Sequence, residues 1–271
     1  LNNVKKRVIS AIVMLAIVGA CLFISGVTRA LLVLAAAVLS AFEMKNCLAK
    51  SGEKAIVFTP LLYIVINTVL CLTGAPLWAI AVNFIACAVL TVCICICRED
   101  LMAPAARGTL FMLVYPMALY AALQRILTTG RWLYVFALAA LGTWSCDAFA
   151  LFGGRRFGRH KLSPHVSPNK TVEGSLCGAA ASAVFGVLAW FLLKDQGAEL
   201  WVCVTVAVVA STMGQFGDLA ASLFKRESGI KDYSDLIPGH GGMMDRADSL
   251  LFSIPTAWFC LEIIDLIRGK A

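Results

Sequence analysis

Asp218, Asp245 and Asp248 are the residues best placed to do chemistry. They stand before and within KRESGIKDYSDLIPGHGGMMDRAD (225–248), a polar stretch in a chain that is 60% hydrophobic and only 14% charged. Gln215 and Asp218 are spaced i, i+3, and Ser222 and Lys225 continue that helix face. Asp245 and Asp248 share a second face, with Arg246 roughly 100° around. Pro238 to Gly242 cannot continue a helix, so the chain must turn there and bring three carboxylates to one boundary. Crowded carboxylates raise one another's pKa or push the helices apart, and a divalent cation resolves the conflict. Hard oxygen donors without a paired CxxC motif suit Mg²⁺ or Mn²⁺ rather than Zn²⁺, with a second cation as an option. Lys225, Arg226, Lys231 and Arg246 suit phosphate oxygens. Carboxylates, a metal and several bases together are the equipment of phosphoryl or nucleotidyl transfer. His240 either donates to a phosphate or braces the turn.

A second polar loop precedes it, WSCDAFALFGGRRFGRHKLSPHVSPNKTVEG (144–174). Asp147 falls at the end of an apolar run, where a carboxylate costs about 2.5–3.5 kcal/mol on insertion scales and so wants a partner, an ion or a task. Gly153, Gly154 and Gly158 loosen the backbone among Arg155, Arg156, Arg159, His160 and Lys161. That composition suits approach to phosphates and equally suits a plain cytoplasmic loop. Ser167-Pro168 reads as an N-cap followed by a first helical residue. The free N–H groups of that helix start, with Asn169, Lys170 and Thr171 beside them, would bind an anion. Glu173 would ligate a metal or simply favour the helix dipole.

The elements that must hold these residues are membrane helices. A mean hydropathy of +0.85 over 271 residues leaves too little polar sequence to cover a soluble domain. Apolar windows give nine segments: 8–27, 30–42, 55–73, 76–97, 110–123, 132–152, 175–193, 200–224 and 249–267, of which the second and fifth are short. The expected architecture is an all-α polytopic membrane helix bundle, read as a single domain over 1–271. Membrane helices fill 1–143, and the catalytic loops lie in 144–271. The start reads as a first membrane helix, not a signal peptide. With a cytoplasmic N-terminus and strict alternation, 17 of the 23 Lys and Arg residues fall on the cytoplasmic side and 6 opposite, as the positive-inside rule requires. Both polar loops are then cytoplasmic. The net charge of +7 is accounted for by orientation and anionic headgroups, so no nucleic-acid partner is expected. The 11 cysteines lie mostly inside apolar runs and read as small buried hydrophobes.

The motifs resemble those of the phosphatidate cytidylyltransferase family, the CDP-diacylglycerol synthases. The C-terminal signature S-x-x-K-R-x-x-x-x-K-D followed by H-G-G-x-x-D-R-x-D is filled at every specified position by Ser222, Lys225, Arg226, Lys231, Asp232, His240, Gly241, Gly242, Asp245, Arg246 and Asp248. Gly217 and Asp218 match the approach to it. Upstream, Asp147, Ala150, Gly154, Arg155, Gly158, Ser167, Pro168, Lys170, Thr171, Glu173 and Gly174 fit the family's first loop, with Leu151 in place of an aromatic and Val172 in place of Trp. The resemblance implies transfer of the cytidylyl group of CTP to phosphatidic acid with Mg²⁺, giving CDP-diacylglycerol and pyrophosphate. It implies a multi-pass protein of the cell inner membrane with a cytoplasmic active site, and a homodimer, for which no GxxxG-type motif in the sequence makes a case. The roles that follow are expectations. Asp218, Asp245 and Asp248 hold the metal and, with Lys225, Arg226, Lys231 and Arg246, carry the catalysis. Asp147, Arg155, Ser167, Asn169, Lys170, Thr171, Glu173, Ser222, His240, Gly241 and Gly242 bind substrate. The rival readings are a CTP-dependent polytopic lipid kinase and a cation transporter. The latter would not need a Gly-flanked signature on one side and usually shows an internal repeat, which is not found here.

Overall fold

The computed structural model describes residues 2–98, 102–194, 198–237 and 239–269; Pro238 and Lys270 lie outside them. The chain runs α1 (Asn2–Ile24), α2 (Gly26–Lys50), α3 (Phe58–Leu72), α4 (Leu77–Cys97), α5 (Met102–Met112), a wide turn at Leu113–Ala118, α6 (Leu119–Leu127) and α7 (Trp132–Phe157). Two short strands, β1 (Lys161–Ser163) and β2 (Ser167–Thr171), precede α8 (Val172–Leu193), α9 (Leu200–Glu227) and α10 (Met244–Ile267). Seven helices among the described residues are long and apolar enough to cross a membrane, and Ser10–Ile24 and Phe58–Leu72 are shorter apolar helices. The protein is an all-α, multi-pass membrane protein, and its apolar segments are those read from the sequence.

The second and fifth segments are longer than their hydropathy windows, each belonging to a 25-residue helical stretch, Gly26–Lys50 and Ala103–Leu127. The windows stop at polar residues that the protein itself satisfies. Arg29 donates to the carbonyls of Leu127 at 2.7 Å and Leu22 at 2.9 Å, and Glu43 is only 5% exposed among donors described below. The fifth is bent at Pro116, which lacks the N–H that the helical ladder needs, and Tyr115 leaves helical geometry beside it.

The chain forms two compact units, Leu1–Thr129 with Phe224–Arg246, and Gly130–Leu223 with Ala247–Ala271. In the first unit α2 packs on α1, α3 and α6. Its interior is pinned by polar contacts of the kind that hold membrane helices together. Gln124 donates to the Ala30 carbonyl (2.9 Å) and to Thr68 Oγ1 (2.8 Å), and accepts from Asn67 (2.8 Å). Thr59 and Thr91 share a hydrogen bond at 2.7 Å between α3 and α4.

In the second unit α7 lies along α8 through small residues. A Cβ on Gly174 would stand 2.6 Å from the Ala150 carbonyl oxygen, and one on Gly178 would stand 2.7 Å from that of Cys146. Gly174 and Gly178 are a G-x-x-x-G pair that the sequence reading did not single out, and it serves here to seat α8 on α7 within the chain. The expected helix start at Ser167-Pro168 is corrected. Ser167–Thr171 is a strand paired antiparallel with Lys161–Ser163, and α8 begins after it. Thr171 is the true N-cap, accepting from the Gly174 N–H at 3.1 Å. A two-stranded ribbon is all edge, so Pro168 and its missing N–H are tolerated there.

Candidate functional site

The signature loop belongs to the first unit. Lys225, near the end of α9, donates to Asp245 Oδ1 at 2.7 Å and lies 5.5 Å over the Tyr233 ring. Asp245 Oδ2 accepts the N–H groups of Tyr233 (2.8 Å) and Gly242 (2.9 Å). Both charges are desolvated, with side-chain exposures of 9% for Lys225 and 3% for Asp245. A buried ion pair persists only with this degree of hydrogen bonding. Gly241 holds φ +79°, a left-handed turn that favours glycine. The turn is closed by bonds from Ile237 N–H to the Gly241 carbonyl (3.0 Å) and from His240 N–H to the Ile237 carbonyl (2.8 Å). His240 Nδ1 meets Ser10 Oγ at 3.1 Å, so here the imidazole braces the turn against α1. Arg226, Lys231 and Arg246 are exposed.

Glu43 carries no signal in the local spacing and is the residue that the sequence reading missed. From α2 it accepts from the Ser234 hydroxyl (2.6 Å) and from the N–H groups of Met243 (2.9 Å) and Met244 (2.8 Å). A charge just past the end of the second apolar segment was the available clue. Its carboxylate fills the space at Gly242, where a Cβ would stand 2.5 Å from Oε1. Gly242, expected to admit substrate, makes room for Glu43.

The other polar loop belongs to the second unit. Lys170, in β2, meets Asp218 Oδ2 of α9 at 2.6 Å, with side-chain exposures of 26% and 32%. Ser222 donates to Asp218 Oδ1 at 3.4 Å. Asp147 is exposed and within electrostatic range of Asp218 and Lys170. One turn before Asp218, Gln215 accepts from Ser175 at 2.6 Å and reaches Cys146 Sγ at 3.0 Å, so this face of α9 is polar along its length, as its spacing required. Asp248 is buried, and its carbonyl oxygen would lie 2.5 Å from a Cβ on Gly217, which seats α10 against α9 beside Asp218. Arg155 and Asn169 are exposed and Ser167 is half-buried. Glu173 accepts from the N–H groups of Arg159 (3.0 Å) and His160 (3.2 Å), and pairs with His160 Nδ1 at 2.6 Å. Its lone pairs are spent on the loop, which favours bracing over metal ligation. Leu151 and Val172, the two departures from the family pattern, are exposed.

Among the described residues no three His, Cys, Asp or Glu side chains are gathered closely enough to hold a metal ion by themselves. Asp245 gives both oxygens to protein donors. Asp147, Asp218 and Asp248 are the other carboxylates here; Asp218 meets Lys170 and Ser222, and Asp248 Oδ1 accepts the Ser249 N–H at 2.7 Å, so a cation at this place would draw most of its shell from phosphate oxygens and water, as Mg²⁺ commonly does.

A model of the cytidylyltransferase family matches residues 5–264, and the chain belongs to that family. It is similar to the phosphatidate cytidylyltransferase of Staphylococcus haemolyticus (strain JCSC1435), 40% identical over 128 residues that cover 47% of this chain and 49% of the relative. The phosphatidate cytidylyltransferase of Staphylococcus aureus (strain COL) is also 40% identical over 128 residues, with the same coverage. That of Haemophilus influenzae (strain ATCC 51907 / DSM 11121 / KW20 / Rd) is 44% identical over 128 residues, covering 45% of this chain and 42% of the relative. The matched part of the chain spans about half the length of these relatives.

Proposed function

We propose that the protein transfers the cytidylyl group of CTP to phosphatidic acid, releasing pyrophosphate. The observation that carries this reading is the pairing of Lys170 with Asp218 at 2.6 Å. Within the second unit it joins the first polar loop to Asp218 of α9, so residues far apart in sequence meet there. An oxygen of the lipid phosphate attacks the α-phosphorus of CTP. A new P–O bond forms there as the bond from the α-phosphorus to the bridging oxygen breaks, and pyrophosphate leaves with that oxygen. The nucleophile comes from the lipid, so no side-chain nucleophile is needed. What the protein must do is align two polyanions and offset their charge.

Lys170 is half-buried and becomes a phosphate ligand when an incoming anion draws it from Asp218. Arg155, Arg226, Lys231 and Arg246 are exposed and take further phosphate oxygens. Asp147, Asp218 and Asp248 would hold Mg²⁺ or Mn²⁺, which when bound offsets charge on the triphosphate and the departing pyrophosphate. Asp245 keeps Lys225 in place. The polar loops face the cytoplasm, where CTP is found, and the phosphatidic acid is drawn from the bilayer of the cell inner membrane. A homodimer is the expected assembly. The test is to supply purified protein with CTP, phosphatidic acid and Mg²⁺. CDP-diacylglycerol and pyrophosphate should form in equal amounts, and a chelator should stop both. Formation of neither product would refute the reading.

A further inference from the structure

Glu43 stands 200 residues before Met243 in the chain, yet it touches the signature loop at three points. The first N–H groups of a helix have no partner within it, and carboxylates are favoured there. At the start of α10 these donors are divided between two buried acids. Gly242 N–H goes to Asp245 at 2.9 Å, while Met243 and Met244 N–H go to Glu43 at 2.9 and 2.8 Å. The Ser234 hydroxyl, on the other strand of the loop, closes on Glu43 at 2.6 Å. Glu43 therefore holds both arms of the loop, and between them lie Tyr233 N–H, Gly242 N–H and the Asp245 carboxylate that receives Lys225.

We infer that Glu43 is a positioning residue for the transfer reaction. It sets the turn into α10 so that Asp245 meets Lys225, without touching substrate itself. The inference rests on the cytidylyl-transfer reading above. Without the Glu43 carboxylate, the part-buried Met243 N–H and the buried Met244 N–H lose their acceptor, and Asp245, which already holds the neighbouring Gly242 N–H, is the acid of the loop that they would draw away from Lys225. Gly242 belongs to the same device. Its Cβ would stand 2.5 Å from Glu43 Oε1, so a methyl there must push the carboxylate off the helix start.

The experiment measures kcat and KM per folded, monodisperse protein for wild type and for Glu43→Gln, Gly242→Ala, Glu43→Ala and the Glu43→Ala/Gly242→Ala double variant. Glu43→Gln and Gly242→Ala should each lower kcat by about tenfold or more, with KM for CTP within about threefold, because misplacement of a group by an ångström costs up to about 100-fold. The double variant should be no worse than Glu43→Ala alone, since the space at Gly242 is then empty. A merely structural role would lower the yield of folded protein and leave kcat per folded molecule unchanged. Where Glu43→Ala does not fold, Ser234→Ala replaces it, removing one of the three bonds and lowering kcat by a few-fold. Wild-type turnover with Glu43→Gln within twofold of it overturns the inference, as do losses that simply multiply in the double variant. Absence of wild-type transfer overturns the reading of the reaction instead.

Discussion

Two lysine–aspartate pairs of nearly equal length have opposite burial, and they should fail in opposite ways. Lys225–Asp245 is 9% and 3% exposed, whereas Lys170–Asp218 is 26% and 32% exposed. Removing one member of a buried pair strands a charge and costs about 3–5 kcal/mol, while a solvent-reached pair contributes about 1 kcal/mol or less. Lys225→Ala should therefore depress the thermal unfolding midpoint in detergent, whereas Lys170→Ala should keep the midpoint and lose turnover. Equal midpoints for the two variants would contradict this assignment. Asp218→Asn and Asp248→Asn should each lower turnover by about 100-fold or more, the scale of losing one preorganised electrostatic contact, while the protein still inserts and purifies. Activity within threefold of wild type for both would remove these carboxylates from the account. At this scale the sequence already showed Asp218, Lys225, Asp245 and Asp248, because each stands in a short motif whose spacing fixes its helix face. It did not show that Asp245 would be used up by Lys225 and two N–H groups, since burial is set by the fold. Nor did it show Glu43, whose partners lie about 200 residues away and leave no local pattern.

Helices were legible as elements because apolar runs of spanning length have few alternatives. Their ends were less so. Arg29 and Glu43 looked like boundaries but lie inside longer helices, where the protein supplies the bonds that water would otherwise give. The segment Ser167–Thr171 looked like a helix start, since Ser-Pro fits an N-cap, but pairing with Lys161–Ser163 and the Thr171 cap won. The G-x-x-x-G pair of Gly174 and Gly178 is an element-scale device, and it can be tested by size. Gly178→Val would place its Cβ 2.7 Å from the Cys146 carbonyl oxygen, a backbone atom that cannot step aside. The substitution should destabilise the protein by about 1–3 kcal/mol, the usual cost of overpacking, read as a lower unfolding midpoint. Gly130→Ala, with no atom within 4 Å of the added carbon, should leave the midpoint where it was. A Gly178→Val midpoint equal to wild type would mean that α7 and α8 do not approach this closely.

For the whole molecule, the orientation proposed from the charge pattern can be tested. Gly130 and His165 flank opposite ends of α7 (Trp132–Phe157). On a cysteine-free background in sealed right-side-out vesicles, Gly130→Cys should react with an impermeant thiol reagent and His165→Cys should be shielded. The reverse pattern would place the polar loops away from cytoplasmic CTP. The nine apolar segments were legible from composition, whereas the grouping of Phe224–Arg246 with the first 129 residues was not, because it depends on long-range contacts such as Glu43 to Met243. The central claim concerns which phosphorus of CTP is attacked. Purified protein would be given phosphatidic acid, Mg²⁺ and CTP labelled at either the α- or the γ-phosphate. Cytidylyl transfer predicts that the α-label enters the lipid and the γ-label leaves as pyrophosphate. Lipid labelled only from γ-labelled CTP would mean a lipid kinase and would contradict the account.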